Sequence, residues 1–294
     1  MSDGGFDPAW LDLREPADAR ARDDGLARQL HRSKPATWRV VDLGCGTGAN
    51  GRWLAPKLGG WQDWRLIDGD ARLLAQAAMS FGTWAGRQGF TARRARNGAV
   101  SVGGPLFEAS FRPQRLDLRA DLRRTLAGAN LVTASALLDL VAEDWLAALV
   151  AACRLRNAAC LFALTYDGTM GWTPADPDDD AIVGWFNAHQ RRAKGFGPAL
   201  GPTAGDRAIA LLQHAGYRVS VAATPWRLAA SDGGLQRTLL DGIAAAGREQ
   251  EPAACADIGG WLKRRGDWVA KGMATMTVGH VDILALPAGK PVRT

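Results

Sequence analysis

The sequence predicts a doubly wound α/β fold, in which helices cover both faces of a mostly parallel sheet. Two observations predict it. Short β-branched and apolar runs alternate with longer amphipathic runs at least five times along the 294 residues, and a glycine-rich turn joins the first such pair. Alternation of this kind is typical of parallel strands joined by crossover helices. A chain of this length can bury a large core.

The first 35 residues are predicted to form an N-terminal helical cap. Trp10, Leu13, Leu26 and Leu30 are its candidate buried positions. Pro16 predicts a break between two short helices, because proline lacks the N–H that a helix interior uses. We assign residues 36–287 to one ligand-binding domain and residues 288–294 to a tail.

Within this domain, apolar runs predict strands and amphipathic runs predict helices. The predicted strands are 38–43, 64–68, 129–134, 159–166, 217–222 and 278–286, and the predicted helices are 49–58, 71–81, 121–126, 137–154, 181–191 and 206–215. Residues 82–99 are predicted to be a surface excursion. Residues 100–102 and 107–111 either pair as a hairpin or leave only the second run in the sheet.

Two longer segments interrupt the alternation. Residues 167–205 are predicted to be a lid insertion that begins as a loop, and the acidic run at 178–180 is expected to cap the helix at 181–191. Residues 229–274 are predicted to be a helical insertion.

The glycine-rich turn predicts a ligand-binding element. Val40 and Val41 suit a buried parallel strand, Asp42 ends that strand, and the glycines that follow allow a ligand to approach the backbone closely. Residues 46–51 fit G-x-G-x-x-G, the pattern of a dinucleotide site. A pyrophosphate at the helix N-terminus is disfavoured by a neighbouring carboxylate, whereas a cationic sulfonium tolerates one.

The run VVDLGCGTG at 40–48 resembles motif I of the class I S-adenosylmethionine (SAM)-dependent methyltransferase superfamily. The resemblance implies a Rossmann-like seven-stranded sheet in the order 3-2-1-4-5-7-6 with an antiparallel last strand. It also implies that SAM is the cofactor. From the first motif, the predicted cofactor-binding residues are Asp42, Gly44, Cys45, Gly46 and Gly48.

Later segments extend the predicted cofactor site. Asp68 ends the second strand, where a carboxylate can accept both ribose hydroxyls of a nucleoside. The segment at 115–118 resembles the family's adenine-reading segment, which assigns Asp117 to the adenine amino group and the Leu118 N–H to a ring nitrogen. Ser135 follows the fourth strand, beside the expected sulfonium. A helix cap remains the alternative role for Asp117.

Three residues are candidate catalytic groups. Asp139 is predicted to lie one helical turn past Ser135 on the same face. Tyr166 ends the fifth strand, and His189 in the lid has an ordinary pKa of about 6.5 that suits a general base. Packing or surface roles are the alternatives for each.

Charge and composition leave two rival functions open. Residues 87–124 hold nine arginines and three acids, a surplus equal to the net charge of +6, so an RNA or protein methyltransferase is one alternative. A nicotinamide-dependent oxidoreductase is the other. No proline occurs from 114 to 173, where base-methylating relatives carry an Asn- or Asp-Pro-Pro signature. We therefore expect methyl transfer to an O or N atom of a small-molecule acceptor.

Composition also predicts the cellular location of the protein and the redox state of its thiols. No apolar run approaches the ~20 residues of a membrane helix, and no secretory signal begins the chain. The four cysteines lack C-x-x-C spacing and, with the four scattered histidines, predict no metal site. These features predict a cytoplasmic protein with reduced thiols.

Overall fold

The computed structural model describes residues 6–33, 35–119 and 121–288. The α-helices are α1 Pro8–Ala21, α2 Asp24–His31, α3 Ala49–Leu58, α4 Ala71–Arg87, α5 Leu122–Thr125, α6 Glu143–Arg156, α7 Asp179–Gln190, α8 Ala204–His214, α9 Gly233–Gln250 and α10 Cys255–Ala270. The strands are β1 Trp38–Leu43, β2 Gly60–Asp68, β3 Thr91–Arg94, β4 Val100–Gly104, β5 Phe107–Arg115, β6 Leu131–Ser135, β7 Ala159–Thr173, β8 Tyr217–Ala223, β9 Trp226–Leu228 and β10 Thr275–Pro287.

These strands form one sheet in the order β3-β4-β5-β2-β1-β6-β7-β10-β8, and β9 pairs with β10. Strands β5, β2, β1, β6 and β7 run parallel, while β10 is antiparallel to both β7 and β8. Without the edge hairpin and β9, this is the order 3-2-1-4-5-7-6 with an antiparallel last strand. The predicted fold class is confirmed.

The edge of the sheet differs from the prediction for residues 82–99. Helix α4 continues to Arg87 instead of ending at residue 81, and β3 and β4 then form an antiparallel hairpin that extends the sheet beyond β5. Residues 100–102 do pair with 107–111. All four side chains of β3 are exposed, and its sequence TARR shows no alternation of apolar residues. Backbone pairing with β4, and not a local pattern, makes this segment a strand.

The break between the N-terminal helices lies at Arg22 rather than at Pro16, which is inside α1. Arg22 is extended, and the Asp23 side chain accepts a hydrogen bond from the N–H of Leu26 at the start of α2. Helix α1 makes contacts on both sides of Pro16, through Leu11 beside Gly46 and through the Arg20–Asp232 ion pair. Leu13, predicted to be buried, is 40% exposed.

Residues 167–173, predicted to begin a loop, continue β7 instead. They pair with the first residues of β10. Helix α7 packs against this extended part of β7, and α9 and α10 pack in the same layer as α7. Trp261, Ile258 and Met276 are buried in the core of that layer. The alternation of half-buried and exposed positions at 167–173 gives no continuous apolar run, so the distant partner strand decides this structure.

Two further apolar clusters lie on opposite faces of the sheet. One includes α6 and α8, and the other includes α2, α3 and α4. The carboxyl ends of β1, β2, β5 and β6 remain uncovered by either cluster. In the part of the chain that the structure describes, no helix has the length and apolar character needed to cross a membrane.

Candidate functional site

A cleft of about 1460 Å³ lies at the carboxyl ends of β1, β2, β5 and β6. The loops that follow these four strands form its floor and one end, and α1 and the segment after α7 form the other end. It is lined by Phe6, Leu11, Arg14, Asp18, Gly44, Cys45, Gly46, Thr47, Ala49, Asn50, Asp68, Gly69, Asp70, Ala71, Arg72, Leu73, Arg115, Leu116, Asp117, Leu118, Arg119, Ser135, Ala136, Leu137, Leu140, His189, Arg192, Ala193, Lys194, Gly195, Phe196 and Glu249.

The glycine turn forms the floor of this cleft. Gly46 has a φ of +52°, and a Cβ added there would lie 3.1 Å from Leu11 Cδ1 of α1. Gly48 has a φ of +82° and precedes α3, and a Cβ there would lie 2.7 Å from a Phe81 ring atom. Side chains at either position would be strained and crowded. Of the predicted turn residues, Gly44, Cys45 and Gly46 line the cleft, whereas Gly48 packs behind it.

Asp68 lies beside the glycine turn, as expected for the end of the second strand. Its Oδ2 accepts a hydrogen bond from the Gly46 N–H at 2.9 Å, and its Oδ1 accepts one from the Asp70 N–H at 2.9 Å. The two bonds hold the carboxylate in one orientation. Because a carboxylate has about four acceptor sites, Asp68 keeps capacity for ligand hydroxyls.

Asp117 and Leu118 line the same end of the cleft, after β5. The exposed Asp117 carboxylate is paired with Arg119, whose Nη2 lies 2.7 Å from Asp117 Oδ2, and this hydrogen bond lowers the pKa of Asp117 to about 2. The Leu118 carbonyl accepts a hydrogen bond from Trp145 Nε1 at 2.7 Å. The segment at 115–118 is therefore anchored to α6.

Asp42 lies beneath the turn and does not line the cleft. Its Oδ1 accepts a hydrogen bond from Asn50 Nδ2 at 2.6 Å, and Asn50 also contacts Thr133 and Arg22. Burial raises the pKa of Asp42 to about 7, and Asp42 Oδ2 has no hydrogen-bond partner among the described residues. This network ties α1, α3 and β6 together. Direct contact of Asp42 with the cofactor stays a prediction.

Cys45 and Ser135 occupy the centre of the cleft. Burial raises the pKa of the Cys45 thiol, which favours its neutral, unreactive form. Ser135 ends β6 and is half-buried. It also borders a second cavity of about 390 Å³ between α1, α3 and α4, which shares Asp18 and Asn50 with the main cleft.

The region around Asp139 differs from the predicted helix at 137–154. Ala136 has a φ of +51°, a short 3-10 helix spans Leu138–Leu140, and α6 begins only at Glu143. Asp139 and Ser135 therefore do not share a helical face. Burial raises the pKa of Asp139 to about 6, and its Oδ1 is buried with no hydrogen-bond partner in the described ranges.

His189 lines the cleft, whereas Tyr166 does not. Tyr166 is buried in β7, its hydroxyl donates to Asn187 Oδ1 at 2.8 Å, and burial raises its pKa well above its usual value. His189 lines the cleft, and its Nε2 lies 2.9 Å from Glu249 Oε2. Neither Tyr166 nor Asp139 is among the residues that line the cleft. The catalytic roles of all three residues stay predictions.

The sequence interpretation missed Asn50 and Glu249. Asn50 is a buried polar residue in the first turn of the helix after the glycine turn, a position that could have identified it. Glu249 carries no sequence signal, because it reaches His189 from α9, which is 60 positions away. Among the described residues, no group of three or more His, Cys, Asp or Glu side chains is arranged to hold a metal ion.

Comparison with known proteins yields matches at the level of structure. No protein-family model matches the chain, and no curated protein matches it. The chain is similar to a putative type II methyltransferase from Anaeromyxobacter dehalogenans, with 17% identity over 90% of this chain and 97% of that chain and a TM-score of 0.49.

Two further solved structures are similar over most of the chain. One is a SAM-dependent methyltransferase from Geobacter sulfurreducens in complex with S-adenosyl-L-homocysteine, at 14% identity over 96% of this chain and 99% of that chain, with a TM-score of 0.42. The other is the cyclopropane synthase MmaA2 from Mycobacterium tuberculosis, at 11% identity over 89% and 82%, with a TM-score of 0.44. By its own strand order and strand directions, the chain has the class I methyltransferase-type fold.

Proposed function

We propose that the protein is a SAM-dependent methyltransferase that acts on an O or N atom of a small-molecule acceptor. One observation carries the proposal: a single cleft collects Gly44, Gly46, Asp68, Asp117 and Ser135 from the ends of four parallel strands. Crevices at this edge of an α/β sheet bind nucleoside-containing ligands.

The residues present fit this cofactor. Gly44 and Gly46 have positive φ, and a Cβ at either position would lie within about 3.2 Å of a leucine methyl group, so the floor beneath a ligand favours glycine. The Asp68 carboxylate suits ribose hydroxyls, and the Asp117 carboxylate suits an exocyclic amine. Asp68 also supplies negative charge on the cleft wall for a ligand that carries a sulfonium and an ammonium.

Bound SAM supplies an electrophilic methyl group to a nucleophile aligned with the carbon–sulfur bond. The chain's part is to bind the two reactants, to orient them and to exclude water. Such positioning can lower the barrier of a bimolecular reaction by about 7–11 kcal/mol. Helix α1 covers the glycine turn through Leu11 and through an ion pair between Glu15 and Arg52 (Oε2–Nη2 2.5 Å). His189, which lines the cleft, is the proposed acceptor of the nucleophile's proton, whereas Asp139 is buried behind the lining.

The dinucleotide alternative is less well supported. A pyrophosphate needs free backbone N–H groups at the glycine turn. The Gly46 N–H donates to Asp68 and the Gly48 N–H donates to the Cys45 carbonyl. A carboxylate therefore occupies the position where a phosphate oxygen would bind.

The nucleic-acid alternative is also less well supported, because the arginines of 87–124 are dispersed. Arg93 and Arg94 lie on the exposed edge strand β3, whereas Arg115 and Arg119 line the cleft and Arg112 pairs with Asp63.

Calorimetric titration with S-adenosylhomocysteine tests the proposal. We expect the wild-type protein to bind it, and we expect Asp68→Asn and Gly46→Val to weaken binding at least ~tenfold, equivalent to about 1.4 kcal/mol. Binding of NADH in place of S-adenosylhomocysteine would overturn the assignment.

Gly89→Val is the matched control for Gly46→Val. Gly89 has a φ of +69°, so it imposes a similar backbone strain, but nothing lies within 4 Å of its Cβ position and it is outside the cleft. We expect its affinity for S-adenosylhomocysteine to equal that of the wild type. A scintillation screen with methyl-tritiated SAM and small O and N nucleophiles then tests the acceptor class.

A further inference from the structure

The cleft has two chemically different ends. The end after β2 and β5 carries Asp68 and Asp117, which the proposed function assigns to adenosine. The opposite end is lined by Arg14, His189, Arg192 and Lys194 together with Asp18 and Glu249. The proposed function leaves this second end for the acceptor, and its charges define what kind of acceptor it fits.

Most charges at this end are already paired within the protein. Arg14 Nε lies 2.9 Å from Asp18 Oδ2, and Glu249 contacts His189 at 2.9 Å and Arg192 at 3.9 Å. Lys194 is different. Its Nζ donates to the neutral amide oxygen of Gln190 at 3.1 Å, and no carboxylate of residues 6–33, 35–119 or 121–288 lies within ion-pair distance of it.

Lys194 is held in place by a closed loop. Ala193 and Pro198 form a β-bridge, and the Lys194 N–H donates to the Gly197 carbonyl at 3.2 Å. The Phe196 ring packs edge-on against Trp145 with 5.4 Å between centroids, which anchors the loop to α6. Lys194 is half-buried in the cleft wall, and this burial lowers its pKa. The fold thus presents a partly desolvated ammonium that has no anionic partner.

A second unsatisfied group, Asp139, lies behind the lining residues Leu137 and Leu140. Its Oδ1 is buried and accepts no hydrogen bond from the described residues. The charges of Asp139 and Glu249 act on Lys194, but neither carboxylate forms an ion pair with it. A ligand anion at this end would give Lys194 the ionic partner that the described residues do not provide.

We propose that the acceptor carries a carboxylate or phosphate group next to its nucleophilic O or N atom, and that Lys194 binds this anionic group. The inference rests on the proposed function and specifies its substrate class. The anion on Lys194 holds the acceptor at the end of the cleft that His189 also lines, opposite Asp68 and Asp117. An unpaired ammonium binds such anions as a point charge, so both anion types fit.

Anion titration of the protein saturated with S-adenosylhomocysteine tests this inference. Sodium acetate and inorganic phosphate are the probes, and sodium chloride at equal ionic strength is the reference. We expect at least one probe to raise the melting temperature beyond the effect of chloride, and the stronger probe identifies carboxylate or phosphate as the preferred group.

Three variants assign the effect to Lys194. We expect Lys194→Gln to weaken the anion affinity at least ~tenfold, and Lys194→Arg, which keeps the charge, to retain most of it. Lys271→Gln removes an equal charge from an exposed residue outside the cleft and is expected to change nothing.

The outcomes separate this inference from the proposed function. If S-adenosylhomocysteine does not bind the wild type, the proposed function fails. If it binds but neither probe exceeds chloride, or if Lys194→Gln binds the probes as the wild type does, the anionic-acceptor inference alone is overturned.

Discussion

At the scale of single residues, Asp42 has a structural environment that the sequence did not indicate. A carboxylate in motif I was expected to face the cofactor. The folded chain buries it beneath the turn, where Asn50 and Thr133 connect it to β6. Burial costs the charged form its hydration, and the hydrogen bond from Asn50 recovers only part of that cost. Asp42 is therefore a buried carboxyl whose pKa burial raises to about 7.

This burial predicts how stability depends on pH. The folded-state pKa of about 7 exceeds the ordinary Asp value of about 3.9. Between these values the folded protein binds more protons than the unfolded chain, so the free energy of unfolding falls as pH rises from about 4 to about 7. We expect Asp42→Asn to increase the unfolding free energy at pH 8 by on the order of 2 kcal/mol.

Urea unfolding at several pH values measures this effect. The variant and the wild type are expected to converge near pH 4, where Asp42 is protonated in the folded protein. A residual slope is expected in the variant, because burial also raises the pKa of Asp18 and Asp139. Parallel curves from pH 4 to pH 8 would contradict the prediction.

At the scale of elements, the acidic run before α7 does not cap the helix as expected. Asp178 is the N-cap residue but its side chain makes no capping hydrogen bond. Asp176 and Asp178 instead pair with Arg264 of α10, and Asp179 pairs with Arg265. These ion pairs bind the start of α7 to α10.

The Asp179–Arg265 pair is the buried member of this group. The Arg265 side chain is 1% exposed, its Nη1 donates to the Pro174 carbonyl at 2.6 Å, and Asp179 also accepts from Trp261 Nε1 at 2.9 Å. Removing one partner leaves the other charge buried without compensation. We expect Asp179→Asn to lower the unfolding free energy by about 3–5 kcal/mol.

Asp267→Asn is the matched control for this prediction, measured in the same denaturant titration. Asp267 pairs with Lys263 on the exposed face of the same α10 helix, with side chains that are 53% and 78% exposed. Solvent-exposed ion pairs of this kind contribute little to the free energy of unfolding, because water and salt screen them. We therefore expect the denaturant midpoint of unfolding to stay unchanged. Equal losses for the two variants would show that burial is not what makes the Asp179 pair strong.

At the scale of the whole molecule, the sheet is buried at its centre and open at one edge. Strands β1 and β6 pair on both sides and are covered by apolar clusters on both faces. Strand β3 pairs only with β4, and its four side chains are exposed. Three arginines at 93–96 give this edge a charge that discourages pairing with another chain.

This architecture predicts the order in which backbone amides exchange with solvent. Local opening of an exposed edge costs little, whereas exchange from central strands requires opening close to global unfolding. Hydrogen-exchange mass spectrometry should therefore show amides of Thr91–Arg94 exchanging at least ~100-fold faster than those of Leu131–Ser135. Comparable protection of the two strands would be evidence that something covers the β3 edge.

The sequence by itself determined the strand-turn-helix order along the chain and the end of the cleft that we propose binds the cofactor. These features depend on residues adjacent along the chain, such as Val40, Val41 and Gly46, whose local preferences specify a strand and a turn. Only the tertiary structure decided the opposite end, because Arg14, Lys194 and Glu249 come from three separate segments. The β3–β4 hairpin and the extension of β7 were likewise decided by pairing between distant strands, which no local pattern encodes.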